Sequence, residues 1–256
     1  QTRTAWISDI WAERLYELRT NMSVKKEIQL SSQPVDMAID TTGEKLFMLL
    51  MNENSVHQLT FDGYLHESIL LPTTVSRHCR LTYDDITSSV WISNYEESLV
   101  YRYKLDNPLD SLIVFTGVQD PRDIVPDPLD GGCWVATKAG ITLIDDDGSI
   151  SVYKDSLDIK DISLNSVNGD CYYVGKNSNT GQWETGRLIK QDSMQDEMIL
   201  GNDYPYLHSI QVVPGQGPRG FLVSQAYAWK LLRFDHQWKK IGTMAGFNAR
   251  LDFALE

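Results

Sequence analysis

An all-β chain made of six copies of one four-stranded unit is what this sequence predicts, and three observations predict it. Helical periodicity is absent, whereas short alternating stretches bounded by Gly, Pro, Asp and Asn recur along all 256 residues. A strongly apolar motif returns six times, as AWISD (Trp6), KLFML (Phe47), VWISN (Trp91), CWVAT (Trp134), CYYVG (Tyr173) and GFLVS (Leu222). A second motif, PVDMAID, HCRLTYD, PRDIVPD, IKDISLN, LHSIQVV and ARLDFALE, aligns at positions 36, 80, 123, 161, 209 and 252. The intervals are 44, 43, 38, 48 and 43 residues, the size of propeller blades. A four-stranded meander cannot bury both faces alone, so its copies must pack side by side. The expected fold class is a six-bladed β-propeller.

Each element follows from local chemistry. The second motif supplies first strands and the apolar motif second strands. Third strands (RLYELR, SVHQLTFDG, LVYRYKLDN, GITLIDDDG, GRLIKQDS, WKLLRFDH) mostly end in Asp followed by Gly, Asn, Ser or His, which is hairpin chemistry. Fourth strands (KKEIQL, HESILLP, SLIVFTG, ISVYKDS, DEMILG, WKKIGT) are more polar, as an exposed rim requires. The stretch from Pro121 to Ser156 shows all four in succession. Only five first strands precede their own second strands; the sixth, ARLDFALE, lies at the other end of the chain. The expectation is therefore one domain whose C-terminal strand completes the N-terminal blade and removes free strand edges. Its blades are residues 4–30 with 248–256, 34–72, 77–117, 121–156, 159–202 and 206–244.

Composition narrows the function classes. A formal charge of −12, from 35 acidic and 23 basic residues, opposes nucleic acid and anionic membrane surfaces. No apolar run approaches membrane-spanning length and no stretch has the make-up of a signal peptide. Cys79, Cys133 and Cys171 match neither a disulfide framework nor a zinc pattern and read as small buried apolar residues. The sequon Asn21-Met-Ser stands alone. Gly215 to Gly220 joins two strands and cannot cradle a phosphate as a helix-opening glycine loop does. The run Asp145-Asp146-Asp147-Gly148 lacks the alternating ligands of a calcium loop and reads as a hairpin turn.

PVDMAIDTTGEKLFMLLMNENSVHQLTFDG resembles an NHL-type repeat, with a Pro-led first strand, a Gly turn and a third strand ending in Asp-Gly. CWVATKAGITLIDDDG is similar to the repeat of two-component sensor propellers. The resemblance, covering nearly the whole chain, is to the broad six-bladed class of NHL-repeat, TolB-like and gluconolactonase-like propellers. Arg80 and Ser209 depart from the first-strand Asp, and the fifth copy lacks a Gly-led third strand.

In such a fold the aligned positions Asp36, Arg80, Asp123, Asp161, Ser209 and Asp252 converge on the mouth of a central channel, with Arg122, Lys160 and His208 one residue earlier. Carboxylates gathered there repel one another unless cations compensate. Two readings stay open. Either Asp36, Asp123, Asp161 and Asp252 hold calcium or magnesium or a polar ligand, or each satisfies backbone N–H groups and neighbouring bases. The resemblance to gluconolactonase-like enzymes implies a metal at these four carboxylates, with Asn94 as a further donor. Virginiamycin-lyase-like propellers need a catalytic histidine within the channel, for which His208 is the positional candidate here; His78 also lies near a first-strand entry. Trp183, in the long loop from Lys176 to Gly186, either folds back or offers a contact surface. Tyr95, Trp11 and Tyr227 occupy corresponding loops. Trp6, Trp91 and Trp134 share one strand position and are expected to pack between blades.

The reading these features favour is a monomeric scaffold binding a protein, a peptide or a small polar or carbohydrate ligand. The alternatives are a metal-dependent hydrolase or lactonase and a sensor domain of a larger signalling protein, the last permitted by a first residue other than Met.

Overall fold

The computed structural model describes residues 4–106, 112–190, 194–200, 207–212, 221–225, 230–235 and 239–245. These residues form strands and turns, without helix. The chain divides into two compact units, Gln1–Val114 and Phe115–Glu256.

The first unit holds three antiparallel sheets. One comprises β1 (Thr4–Asp9), β2 (Arg14–Arg19) and β3 (Val24–Gln29). The next comprises β4 (Pro34–Asp40), β5 (Lys45–Leu50), β6 (Ser55–Thr60) and β7 (Leu65–Leu70). The third comprises β8 (Arg80–Asp84), β9 (Ser89–Asn94), β10 (Leu99–Lys104) and β11 (Leu112–Phe115), whose final residue falls to the second unit. The second unit repeats the plan. Its first sheet is β12 (Pro121–Pro126), β13 (Cys133–Thr137), β14 (Gly140–Ile144) and β15 (Ile150–Tyr153). Then come β16 (Leu157–Leu164), β17 (Cys171–Asn177), β18 (Trp183–Ile189) and β19 (Gln195–Leu200). The last sheet is β20 (Leu207–Val212), β21 (Phe221–Gln225), β22 (Lys230–Phe234) and β23 (Lys240–Ala245). Every sheet is a meander with its strands in chain order. These are the six blades of a β-propeller. The strand expected from residues 248–256 to complete the first blade lies outside the described residues.

The second strands are apolar nearly throughout because both of their faces are covered. In β5, Phe47 and Leu49 join one core cluster with Leu81, Val90 and Ile92 of the following sheet. Its intervening residues Leu46, Met48 and Leu50 join another with Trp6 and Leu15 of the preceding sheet. The same alternation divides β17, where Cys171 and Tyr173 pack with Trp134 while Tyr172 and Val174 pack with Ile210 and Val223. Sandwiching removes the alternation that a half-exposed strand would show. Trp6, Trp91 and Trp134 are buried, as their shared position demands, and so are the three thiols, all free.

Turn chemistry closes the hairpins. Asp40, Asp84 and Asp127, at or just past the ends of the first strands, each accept two backbone N–H bonds from residues two and three further on. Asn165 accepts one from Val167. Gly140 opens β14 at φ 121°, and a Cβ there would lie 2.5 Å from the Tyr153 carbonyl oxygen, so a Gly-led third strand is obligatory in this blade. The Asp145–Ser149 run is a turn, closed by the Gly148 N–H on the Asp145 carbonyl at 2.9 Å.

Candidate functional site

The first strands share an irregularity that periodicity alone does not reveal. In β4, β12, β16 and β20 the ladder to the second strand slips by one residue, between Pro34 and Asp36, Pro121 and Asp123, Ile159 and Asp161, and Leu207 and Ser209. Each slip inserts one residue without a ladder partner: Val35, Arg122, Lys160 and His208. A bulge re-aims the side chains around it, and bulges concentrate next to functional sites. In β8 the ladder starts at Arg80, and the residue before it, Cys79, is buried.

The residue after the bulge ties neighbouring sheets together. Asp36 accepts the Met37 N–H on one carboxylate oxygen (2.9 Å) and the Leu81 N–H of the next sheet on the other (2.8 Å). Asp123 accepts the Ile162 N–H at 3.2 Å, and Asp161 accepts the Ile210 N–H at 2.7 Å. Three of the four carboxylates named for a cation are thus engaged in one repeated link. Among the described residues no three His, Cys, Asp or Glu side chains gather in a way that could hold a metal ion; Asp252 lies outside them. The described donors do not fit a calcium or magnesium cage. Asn94 instead caps its own loop through the Glu97 N–H and donates to the Thr73 hydroxyl. Arg80 turns its guanidinium to the Cys79 carbonyl at 2.8 Å, and the Ser209 N–H donates to the Ser224 hydroxyl at 3.0 Å.

In the second unit β12 packs against β16, and β16 against β20, so the bulges carrying Arg122, Lys160 and His208 fall on successive strands. The side chains of Arg122 and Lys160 meet at Asp158, with Arg122 Nη1 2.6 Å from one carboxylate oxygen and Lys160 Nζ 2.5 Å from the other. All three are largely buried. Burial pushes the Lys160 ammonium below its usual range; the Asp158 hydrogen bond opposes this, and repulsion from Arg122 and Lys176 adds to it.

Asp158 and Lys176 are the residues sequence reasoning missed. The sequence places the start of the fifth blade at Ile159, but β16 begins at Leu157, because β17 runs on to Asn177 and offers it partners. This lengthened end sets Asp158 opposite Lys176, and Lys176 opposite Trp183, as a cross-strand row on one sheet face. Trp183 is half-buried against the cluster containing Tyr172, Val174, Leu207 and Ile210. The loop beyond it is closed by Asn177, whose side-chain oxygen accepts the Asn179 and Thr180 N–H groups.

The first unit has a different polar group at the same end. His78 Nδ1 lies 2.7 Å from Glu96, which also takes the Ser76 hydroxyl, and the His78 ring meets Tyr95 edge-on at 5.4 Å. Burial alone would raise the Glu96 carboxyl, but the Ser76 and His78 hydrogen bonds hold it below its usual range. Nearby, His57 bonds Glu53 at 2.6 Å. Trp11 is 87% exposed in its turn. Tyr227, Asp252 and the His208 side chain lie outside the described residues.

No family model matches the chain, and no curated relative does. Solved structures do. The chain is similar to virginiamycin B lyase from Staphylococcus aureus, with a TM-score of 0.74 at 15% identity over 96% of this chain and 81% of that one. It is similar to a chain of the nidogen/laminin complex (TM-score 0.64, 15% identity, 99% and 97% covered). A functionally unknown protein from Desulfotomaculum acetoxidans gives 0.70 at 15% identity, with 97% and 86% covered. At such identities what is shared is the fold, and a fold carries many functions: this chain is a six-bladed β-propeller.

Proposed function

We propose that this protein is a binding scaffold that takes a polar small molecule or peptide at the bulged end of the first strands in its second unit. The observation that carries this reading is the placing of Arg122, Lys160 and His208 in successive bulges, where the equivalent position of the first unit holds Val35. Among the described first strands, the bulge carries an ionisable residue only in the second unit. The Trp183 ring beside this end supplies apolar surface for the body of a ligand. A protein of the same fold occurs in a complex of nidogen with laminin, which agrees with such a role.

A metal-dependent hydrolase is the weaker alternative, because Asp36, Asp123 and Asp161 already accept backbone N–H groups. Melting with EDTA or added calcium separates the two, since a resident ion would shift the transition by mass action. The binding reading is tested by thermal-shift screening of peptides, saccharides and small metabolites against the wild type and an Arg122→Ala/His208→Ala variant. Ligands that stabilise the wild type should lose most of their shift in the variant. Equal shifts in both proteins would move the site elsewhere and overturn the proposal.

A further inference from the structure

We infer that the second unit recognises an oxyanion, a carboxylate or phosphate group of its ligand, between Lys160 and Lys176, beside the internal carboxylate of Asp158. This rests on the binding reading above and names the chemistry of the site.

The charges at this end are arranged for it. Asp158 is held by Arg122 on one oxygen and by Lys160 on the other. Lys160 spends one N–H on Asp158 and, among the described residues, makes no other hydrogen bond. The Lys176 ammonium makes none at all among them, yet it lies close enough to repel Lys160. Three cations therefore face one carboxylate in a protein whose formal charge is −12. The adjacent carboxylates, Asp123 and Asp161, are turned to the backbone N–H groups of Ile162 and Ile210. Repulsion between two ammonium groups, one of them desolvated, is relieved when an anion with several acceptor oxygens enters.

Among the described residues the placement is also particular to this blade. Lys160 occupies the bulge, and Lys176 stands in the cross-strand row that only the extended ends of β16, β17 and β18 create. In that row Lys176 lies between Asp158 and Trp183, so an anionic group on the ammonium leaves the rest of the molecule beside the indole. The ligand class is an anion with an apolar or planar body.

The test uses inorganic phosphate and citrate as separate arms, titrated calorimetrically into the full chain at ionic strength held constant with sodium chloride. Binding in the phosphate arm alone assigns a phosphate group, in the citrate arm alone a carboxylate. Lys176→Gln alters an exposed side chain and leaves the fold intact; it should weaken the bound anion roughly tenfold, the worth of one charge-assisted hydrogen bond. Lys160→Met should weaken it at least as much. Asp158→Asn removes the competing negative charge and should tighten binding by about threefold or more. No binding of either anion, or an affinity unchanged in Lys176→Gln, would overturn the inference. If uncharged ligands still bind and depend on Arg122 and His208 while both anions fail, the scaffold reading stands and the oxyanion falls; if nothing binds at this end, both fall.

Discussion

The two units build their first strands by one backbone plan and fill it with different chemistry. In the first unit the bulge of β4 holds Val35, and the residue ahead of β8 is the buried Cys79. In the second unit the corresponding residues are Arg122, Lys160 and His208. The opposite ends of the first strands differ as well. Asp40 and Asp84 cap their own turns, whereas Asp127 also accepts the Trp134 indole N–H at 2.8 Å and the Lys190 ammonium at 2.6 Å. The shared parts are the links and caps that assemble sheets; the parts that differ are the charged groups set around them, the His78–Glu96 pair in the first unit and the Arg122, Lys160 and Asp158 group in the second.

That contrast can be broken at its strongest point first. Asp127→Ala strands the largely buried Lys190 and a buried indole N–H, and should cost about 3 kcal/mol in urea unfolding. Asp40→Ala removes two turn bonds and the hydrogen bond with Tyr83, strands no buried cation, and should cost about 1–2 kcal/mol. Equal losses would erase the distinction. The second comparison concerns what the units share: Asp36→Ala and Asp161→Ala each orphan a backbone N–H of the next sheet, and each should cost about 1–2 kcal/mol. A cost confined to one unit would show that the link is not a common device.

Acid titration sharpens the same contrast. Burial alone would raise the Asp127 carboxyl, but Lys190, the Leu129 N–H and Trp134 outweigh it and hold it below its usual range. A carboxyl depressed on folding adds stability that is present above its unfolded pKa and disappears as pH falls through the folded value. The wild type should therefore lose stability below about pH 4, and Asp127→Asn should flatten that part of the profile in acid unfolding followed by fluorescence. Smaller still, Lys160→Val gives the second unit the residue type of the first. It removes a desolvated ammonium, leaves Arg122 on Asp158, and should change stability by less than about 1 kcal/mol while weakening oxyanion binding at least about tenfold. Trp11→Ser, at a side chain almost wholly in solvent, should fall within about 0.5 kcal/mol of the wild type.

The fold was legible because packing on both faces writes itself into composition: KLFMLL and CYYVG are apolar at nearly every position, as strands sandwiched between sheets must be. The first-strand aspartates were legible as a repeat, but the sequence left open whether they would gather a cation or serve backbone N–H groups. Three of the four, Asp36, Asp123 and Asp161, accept the N–H groups of Leu81, Ile162 and Ile210. What composition could not signal was the bulge, since an inserted residue leaves the apolar pattern on either side intact. Nor could it signal the row of Asp158, Lys176 and Trp183, which line up only because β16 and β17 overrun the expected strand ends.

The link from each first-strand aspartate runs to a backbone N–H and not to a side chain. Leu81, Ile162 and Ile210 could each be exchanged for any residue other than proline without removing the donor. The neighbouring positions Arg80, Asp161 and Ser209 already differ among blades while the links beside them persist. Assembly is thereby uncoupled from recognition. Apart from the linking aspartates, side chains at the entry of the described first strands are open to variation at little structural risk, which makes this end of the blades the place where a new specificity can be introduced by substitution.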